Sequence, residues 1–182
     1  FMKNEVLIGK KYFLRIFSTK DVSKEYIDWL NNPKVNSHLE VRHNKQTREN
    51  VENYIKDFHD VDNKYLWGVY DIKTKKHIGT INIVVNRYNS AEIGLMIGDT
   101  SFWGESASDE AMILVLDFSF NELKINRISG GCYAENIGMN FTFNRLGFRR
   151  EAVFKESVIK TNGQYSDVFK WAILSKEWNK KC

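Results

Sequence analysis

The residues best placed to do chemistry lie between Ala91 and Phe148. Ala91–Ile97 has strand character, and it runs into Phe102-Trp103-Gly104-Glu105-Ser106-Ala107-Ser108, a loop rich in small side chains. That loop opens an apolar helix at Asp109. Small residues let a ligand come close to the backbone. The first turn of a helix offers unpaired N–H groups and roughly half a positive charge from its aligned peptide dipoles. Together they form an anion site suited to a pyrophosphate. One glycine and two serines also fit an ordinary capped helix start, and the residues alone leave both readings open.

The other reactive side chains point elsewhere. His38, His43, His59 and His77 form no ligand-spaced cluster, so no metal is expected. His77 begins a strand and is expected at the surface. Cys132 and Cys182 make no disulfide framework, and Cys132 is expected to be a buried small apolar residue. Phe102 and Trp103 are expected to pack beneath the loop, and Trp67 and Trp171 to belong to the core or a sheet face. Lys and Arg number 27 against 23 Asp and Glu, a net charge of +4, spread without blocks. No nucleic-acid partner is expected, and a mild positive field suits an anionic small molecule.

The elements that position these residues follow from period and punctuation. Tyr12–Phe17 reads as a strand. Ser18-Thr19-Lys20-Asp21 resembles a capping box, with a helix following to Leu30. Asn31-Asn32-Pro33 stops it. Thr47 caps a second helix, with Val51, Tyr54, Ile55 and Phe58 on one face. Tyr65–Asp71, His77–Asn86 and Ala91–Ile97 read as an antiparallel meander. Asp109–Leu123 is a helix so apolar that it must lie buried across the sheet. Arg127–Ala134 is a strand, Ile137–Leu146 a short helix ended by Gly147, and Arg150–Ile159 with Tyr165–Leu174 a final hairpin turning at Asn162-Gly163. The crossover from Ala91 to Ala134 must be parallel and right-handed, so the fold class is a mixed α/β sheet. With one proline, no linker and 182 residues, a single domain is expected. No apolar run reaches the ~18–20 residues of a membrane span. The N-terminus, Phe1-Met2-Lys3-Asn4-Glu5, carries no signal-peptide apolar region; Phe1 reads as an expression remnant, and a cytoplasmic location is expected.

Residues 91–111, with Asn126-Arg127-Ile128, Glu135-Asn136 and Arg145-Leu146-Gly147-Phe148-Arg149-Arg150-Glu151, resemble GNAT N-acetyltransferases of the RimJ/RimL-like, ribosomal-protein-alanine subgroup. The likeness spans nearly the whole chain. It implies a mostly antiparallel sheet splayed between two central parallel strands, with acetyl-CoA as cosubstrate. Pantetheine would lie in the opening and pair with backbone near Met96 and Ile97. Amides of Gly104, Ser106, Ala107 and Ser108 would hold the pyrophosphate, and Asn136 the pantetheine arm. The family's usual loop is Gly-x-Gly-x-Gly/Ala, so Ser106 and Ser108 are departures, and Glu105 replaces a common Lys.

Two further departures concern the leaving group. The subgroup's Asn-x-x-Ser is here Asn136-Ile137-Gly138-Met139, and the Tyr of many members is Phe143. Both usual donors to the thiolate are missing, and no general acid is assigned. Glu92 matches the Glu of the subgroup's Glu-Ile-Gly, which makes it the expected base; a cross-strand carboxylate is the alternative. Backbone N–H groups of Leu95–Ile97 would polarise the thioester carbonyl.

The resemblance fixes the donor and leaves the acceptor open. Trp29-Leu30-Asn31-Asn32-Pro33 is similar to a segment of enzymes acting on nucleotide-linked amino sugars, and the mild basicity leans the same way. Glu40, Arg42 and His43 face such a substrate or are solvated loop residues. A small-molecule amine, an amino sugar first, is therefore expected as partner; a protein N-terminus is the alternative, and a non-catalytic CoA-binding domain a second. Exposed elements of this fold also suit a homodimer.

Overall fold

The computed structural model describes residues 6–178. The expectations for Phe1–Glu5 and for Cys182 lie outside the described residues. In chain order the strands are β1 (Leu7–Ile8), β2 (Tyr12–Ile16), β3 (Lys64–Asp71), β4 (His77–Val85), β5 (Ser90–Ile97), β6 (Arg127–Tyr133), β7 (Arg149–Ile159) and β8 (Tyr165–Leu174). The helices are α1 (Lys24–Asn31), α2 (Pro33–Asn36), α3 (Arg48–His59), α4 (Ala107–Asn121) and α5 (Ile137–Arg145). One sheet carries the order β1-β2-β3-β4-β5-β6-β8-β7. Every neighbouring pair is antiparallel except β5 and β6, which are parallel.

The sheet divides two apolar layers. Alternate residues of its strands pack against α4 and α5 on one face, around Trp67, Ile81, Ile93, Met112 and Leu116. Their neighbours pack against α1 and α3 on the other, around Phe17, Trp29, Ile55, Leu66 and Met96. Met112, Val115 and Leu116 are fully buried, as an α4 apolar on most sides requires. The β4–β5 meander registers Gly79 with Ile97 and Val85 with Ala91 without a bulge.

Several boundaries differ from the sequence reading for local reasons. The Asp21 carboxylate accepts from the Ser18 N–H and hydroxyl, both at 2.8 Å, but this box opens only a 3-10 turn, Thr19–Asp21. Helix α1 starts later, where the Ser23 hydroxyl accepts from Tyr26 N–H at 3.1 Å. Pro33, read as a stop, is also a start: it occupies the first turn of α2, where a missing N–H costs nothing. Thr47 caps α3 as expected, accepting from Asn50 N–H at 3.2 Å. Gly147, at φ +90°, closes α5 with Gly147 N–H on Asn144 O and Phe148 N–H on Phe143 O, a Schellman closure.

His77 is a correction. It stands among Phe17, Tyr26, Trp29 and Tyr70, with ring centroids 4.8–5.6 Å away, and its Nε2 lies 2.8 Å from Gly79 O. The first residue of β4 faces the α1 layer, so aromatic rings of α1, Phe17 and Tyr70 cover much of the imidazole and leave it half-buried. Burial holds its pKa down at about 4, despite the Gly79 carbonyl.

Candidate acetyl donor cleft

Strands β5 and β6 share only three register pairs, Ser90 with Arg127, Ala91 with Ile128 and Glu92 with Ser129. Beyond them the strands part, although β5 runs on to Ile97 and β6 to Tyr133. Beyond Glu92 the β6-facing side of β5 has no paired strand residue. The Ser129 hydroxyl donates to Ala91 O at 3.3 Å, so the Ala91 carbonyl is turned toward β6. Alternation along a strand then turns the N–H and C=O of Ile93, Leu95 and Ile97 to the same side. Met96 has the other parity: its carbonyl crowds Gly79 on β4, and its side chain is buried beside α1 and α3. Of the two residues expected to pair with pantetheine, Ile97 thus offers backbone and Met96 a side-chain wall.

The opening is continuous with a cleft of about 570 Å³. Its walls are β5 from Leu95 to Ile97, the 102–109 loop and first turn of α4, the 135–139 start of α5, and the 34–39 segment after α1. Met96, Ile97, Gly104, Ser106, Ala107, Ser108 and Asn136 are thus brought together. The loop owes its shape to two left-handed residues, Gly104 at φ +83° and Ser106 at φ +64°. A side chain on Gly104 would meet no atom within 4 Å, so conformation and ligand approach, not protein packing, ask for glycine there.

The start of α4 is held from both sides. Glu110 Oε1 accepts from Lys11 N–H at 2.8 Å and Tyr12 N–H at 3.0 Å. Asp109 Oδ1 accepts from Arg145 at 2.8 Å and from the Thr142 hydroxyl at 3.0 Å. Glu105, whose charge would oppose phosphate, is not among the lining residues and pairs with Lys11 at 3.7 Å. Phe102 packs against the core as expected, whereas Trp103 is 45% exposed and walls the cleft. Its indole N–H is drawn out by Ile97 O at 2.8 Å, and Lys34 Nζ lies 5.7 Å from its ring.

Asn136 caps α5, its Oδ1 accepting from Met139 N–H at 3.2 Å. The cap uses only the oxygen and leaves the NH2 of a cleft-lining residue to other partners. Phe143 faces away from the cleft and stacks on Trp171, centroids 6.0 Å apart. Cys132 is buried on the same side, donating to Asn140 Oδ1 at 3.1 Å, and burial pushes its thiol up to about 11. Such a thiol is protonated rather than a nucleophilic thiolate at neutral pH.

Glu92 is the expected site residue that the cleft does not include. It is 65% exposed, 3.4 Å from Lys170 Nζ on β8. It also lies three residues back from Leu95, about 10 Å along the strand at ~3.3 Å per residue.

Sequence reasoning missed His38. It lines the cleft, its ring stands edge-on to Tyr133 with centroids 5.7 Å apart, and Ser37 Oγ is 3.5 Å from its Nδ1. Of the connector residues expected to face substrate, His43 pairs with Glu40 at 3.6 Å. Arg42 donates to Tyr133 Oη at 2.6 Å, to Ser37 O at 3.1 Å and to Ile159 O. Tyr133 in turn donates to Glu40 at 2.8 Å. A period of 3.6 or 2 marks none of this, because the connector contains only a one-turn helix and a 3-10 turn.

Residues 12–149 match the acetyltransferase (GNAT) domain family. The chain belongs to the GNAT family. Probable N-acetyltransferase YjcK of Bacillus subtilis (strain 168) is 31% identical over 119 residues, 64% of this chain and 65% of that protein. The ribosomal protein uS5-alanine N-acetyltransferase of Escherichia coli (strain K12) is 24% identical over 127 residues, 68% of this chain and 64% of its own length. The chain thus aligns with just under two thirds of each of these two relatives. A crystal structure of spermidine N-acetyltransferase from Vibrio cholerae, in complex with CoA and spermine, superposes with a TM-score of 0.82 at 21% identity, covering 93% of this chain and 98% of that one. The mixed α/β fold expected from sequence is thus the GNAT fold, with its mostly antiparallel eight-stranded sheet. Among the described residues no helix is long and apolar enough to cross a membrane.

Proposed function

We propose that this GNAT chain transfers the acetyl group of acetyl-CoA to the primary amine of a small molecule, an amino sugar carried on a nucleotide being the first class. The observation that carries the reading is the continuity of the β5–β6 opening with the N-terminus of α4. An anion at that terminus meets oriented N–H groups. The amides of Gly104, Ser106, Ala107 and Ser108 hold the pyrophosphate. The backbone of Leu95 and Ile97 pairs with pantetheine, Met96 walls it, and the Asn136 NH2 reaches the arm. A Leu95 or Ile97 N–H then lies beside the thioester carbonyl, where a fixed donor stabilises the oxyanion that forms on attack.

Arg42 supports a small acceptor. Its guanidinium ties the connector to Tyr133 of β6 and Ile159 of β7. A polypeptide needs an open passage between connector and hairpin, and this bridge supports an acceptor small enough to do without one. An amine on a sugar ring is also less basic than an alkylamine, so more of it is neutral and nucleophilic at pH 7. The test is release of CoA thiol with a panel of nucleotide-linked amino sugars, polyamines and peptides with N-terminal alanine. Turnover of the amino sugars is expected, and turnover of peptides alone overturns the reading.

A further inference from the structure

We propose that His38 is the catalytic residue that takes the proton from the acceptor ammonium at the thioester end of the cleft. The assignment rests on the acetyltransferase reading and names the proton acceptor within that site. It starts from place. Glu92 is in register with Ser129, so four residues on, Met96 and Tyr133 stand at the same level on the two parting strands. The His38 ring stands against Tyr133 and lines the cleft with Met96 and Leu95. The thioester, reached from the α4 terminus along β5, arrives at that level.

The second argument is charge. Besides His38, the ionisable side chains that line the cleft are Lys34, Arg145, Asp109 and Glu135. Lys34 and Arg145 are cations with no lone pair to offer. Asp109 is engaged by Arg145 and Thr142. Glu135 accepts from the Ser166 hydroxyl, which first of all holds its carboxyl below the usual range, with Lys160 3.2 Å away assisting. An imidazole alone among these changes charge near neutrality. Burial keeps His38 neutral to lower pH than usual; Glu135 pulls the other way and Arg42 assists. Tyr133, Glu40 and His43 are further ionisable groups of the elements around it.

The third argument is orientation. Asn36 Nδ2, on a buried side chain, donates to Leu30 O at 2.8 Å, and Arg42 holds Ser37 O. His38 thus follows directly on two residues that are held in place. In the tautomer that gives the Nδ1 proton to Ser37 Oγ, Nε2 presents its lone pair. The ammonium N–H proton passes to Nε2. The neutral amine then attacks the carbonyl carbon, a C–N bond forms and the C–S bond breaks. CoA leaves as thiolate and is protonated by the second amine proton through water. The imidazolium returns its proton to solvent, so each turnover releases one proton overall.

The experiment is a pH–rate profile of wild type, His38→Gln, Glu92→Gln and His43→Gln, with acetyl-CoA affinity measured by calorimetry on each. His38→Gln should lower kcat/KM at pH 7 by about 100-fold, the lower end of what a general base supplies, and leave acetyl-CoA affinity within twofold. The acid limb of the wild-type profile, with its midpoint below the ordinary histidine value, should vanish in that variant. It should persist in Glu92→Gln and His43→Gln. A His38→Gln enzyme within threefold of wild type, or a limb that disappears with Glu92 instead, overturns the assignment. Wild type that binds acetyl-CoA but acetylates no amine overturns the acetyltransferase reading, and this assignment with it.

Discussion

Ser106 departs from the usual loop of the family the sequence resembles, and the departure has a conformational cost. At φ +64° and ψ +13° it holds a left-handed backbone that disfavours an L side chain by roughly 1–2 kcal/mol. Glycine removes that strain but adds freedom to the unfolded chain, which returns part of the gain. Ser106→Gly is therefore expected to raise stability by about 0.5–1 kcal/mol, read as a higher denaturation midpoint, with acetyl-CoA binding undiminished. Loss of affinity would show that the hydroxyl itself reaches the ligand. Asn136 carries two roles that one substitution separates. Asn136→Asp keeps the oxygen that caps α5 but loses the NH2, so the acetyl-CoA KM should rise several-fold with the melting temperature held. Asn136→Ala should lose both, at about 1 kcal/mol of stability for the cap. Equal KM in all three would make the residue a cap and nothing more. Gly104 and Asn136 can be proposed from sequence because a left-handed turn and a helix cap are local features. His38 cannot, because its role comes from a ring across the fold, Tyr133.

At the scale of elements, the strands and long helices were readable because each buries one face and so repeats with its own period. Thr47 and Gly147 punctuate them with side-chain and backbone chemistry that survives in the structure. The splay of β5 from β6 leaves no such mark, and only the family likeness foresaw it. The connector behaved oppositely: its residues were named, but their partners were not, since Arg42 finds Tyr133 and Ile159 through tertiary contact. Its guanidinium makes three hydrogen bonds and lies 5.1 Å from the Tyr133 ring. A lysine lacks the planar fork that spans such partners. Both Arg42→Ala and Arg42→Lys should therefore raise the acceptor KM several-fold and admit bulkier amines, while acetyl-CoA affinity stays within twofold. Faster amide exchange across residues 37–43 should accompany the change. Unaltered exchange with unaltered KM would mean that the bridge holds nothing in place.

At the scale of the whole molecule, the α1–α3 layer has a consequence for pH. His77 is enclosed by four aromatic rings and keeps a pKa of about 4, against ~6.5 for a free histidine. The unfolded chain therefore binds this proton more readily than the folded one. Stability is complete above about pH 6.5 and falls as the pH drops toward 4, by at most about 3 kcal/mol at ~1.4 kcal/mol per unit. Carboxylates add a later loss. Asp71, whose pKa is lowered first by the Thr74 hydroxyl, and Glu151, lowered first by Arg127, stabilise the fold while ionised and lose that contribution only below the ordinary carboxylate range. Acid unfolding should thus begin near pH 6, before any carboxylate titrates. His77→Gln retains a side-chain N–H for Gly79 O and removes the charge change. Denaturant midpoints taken from pH 7 to pH 4.5 should then decline less steeply for the variant than for the wild type, the slope that remains including His38, whose pKa burial also lowers. The two slopes coinciding would place the early loss on another group. His38 lies in the cleft and His77 among the aromatic rings beside α1; the activity profile reports the first, and the difference in unfolding between wild type and His77→Gln reports the second.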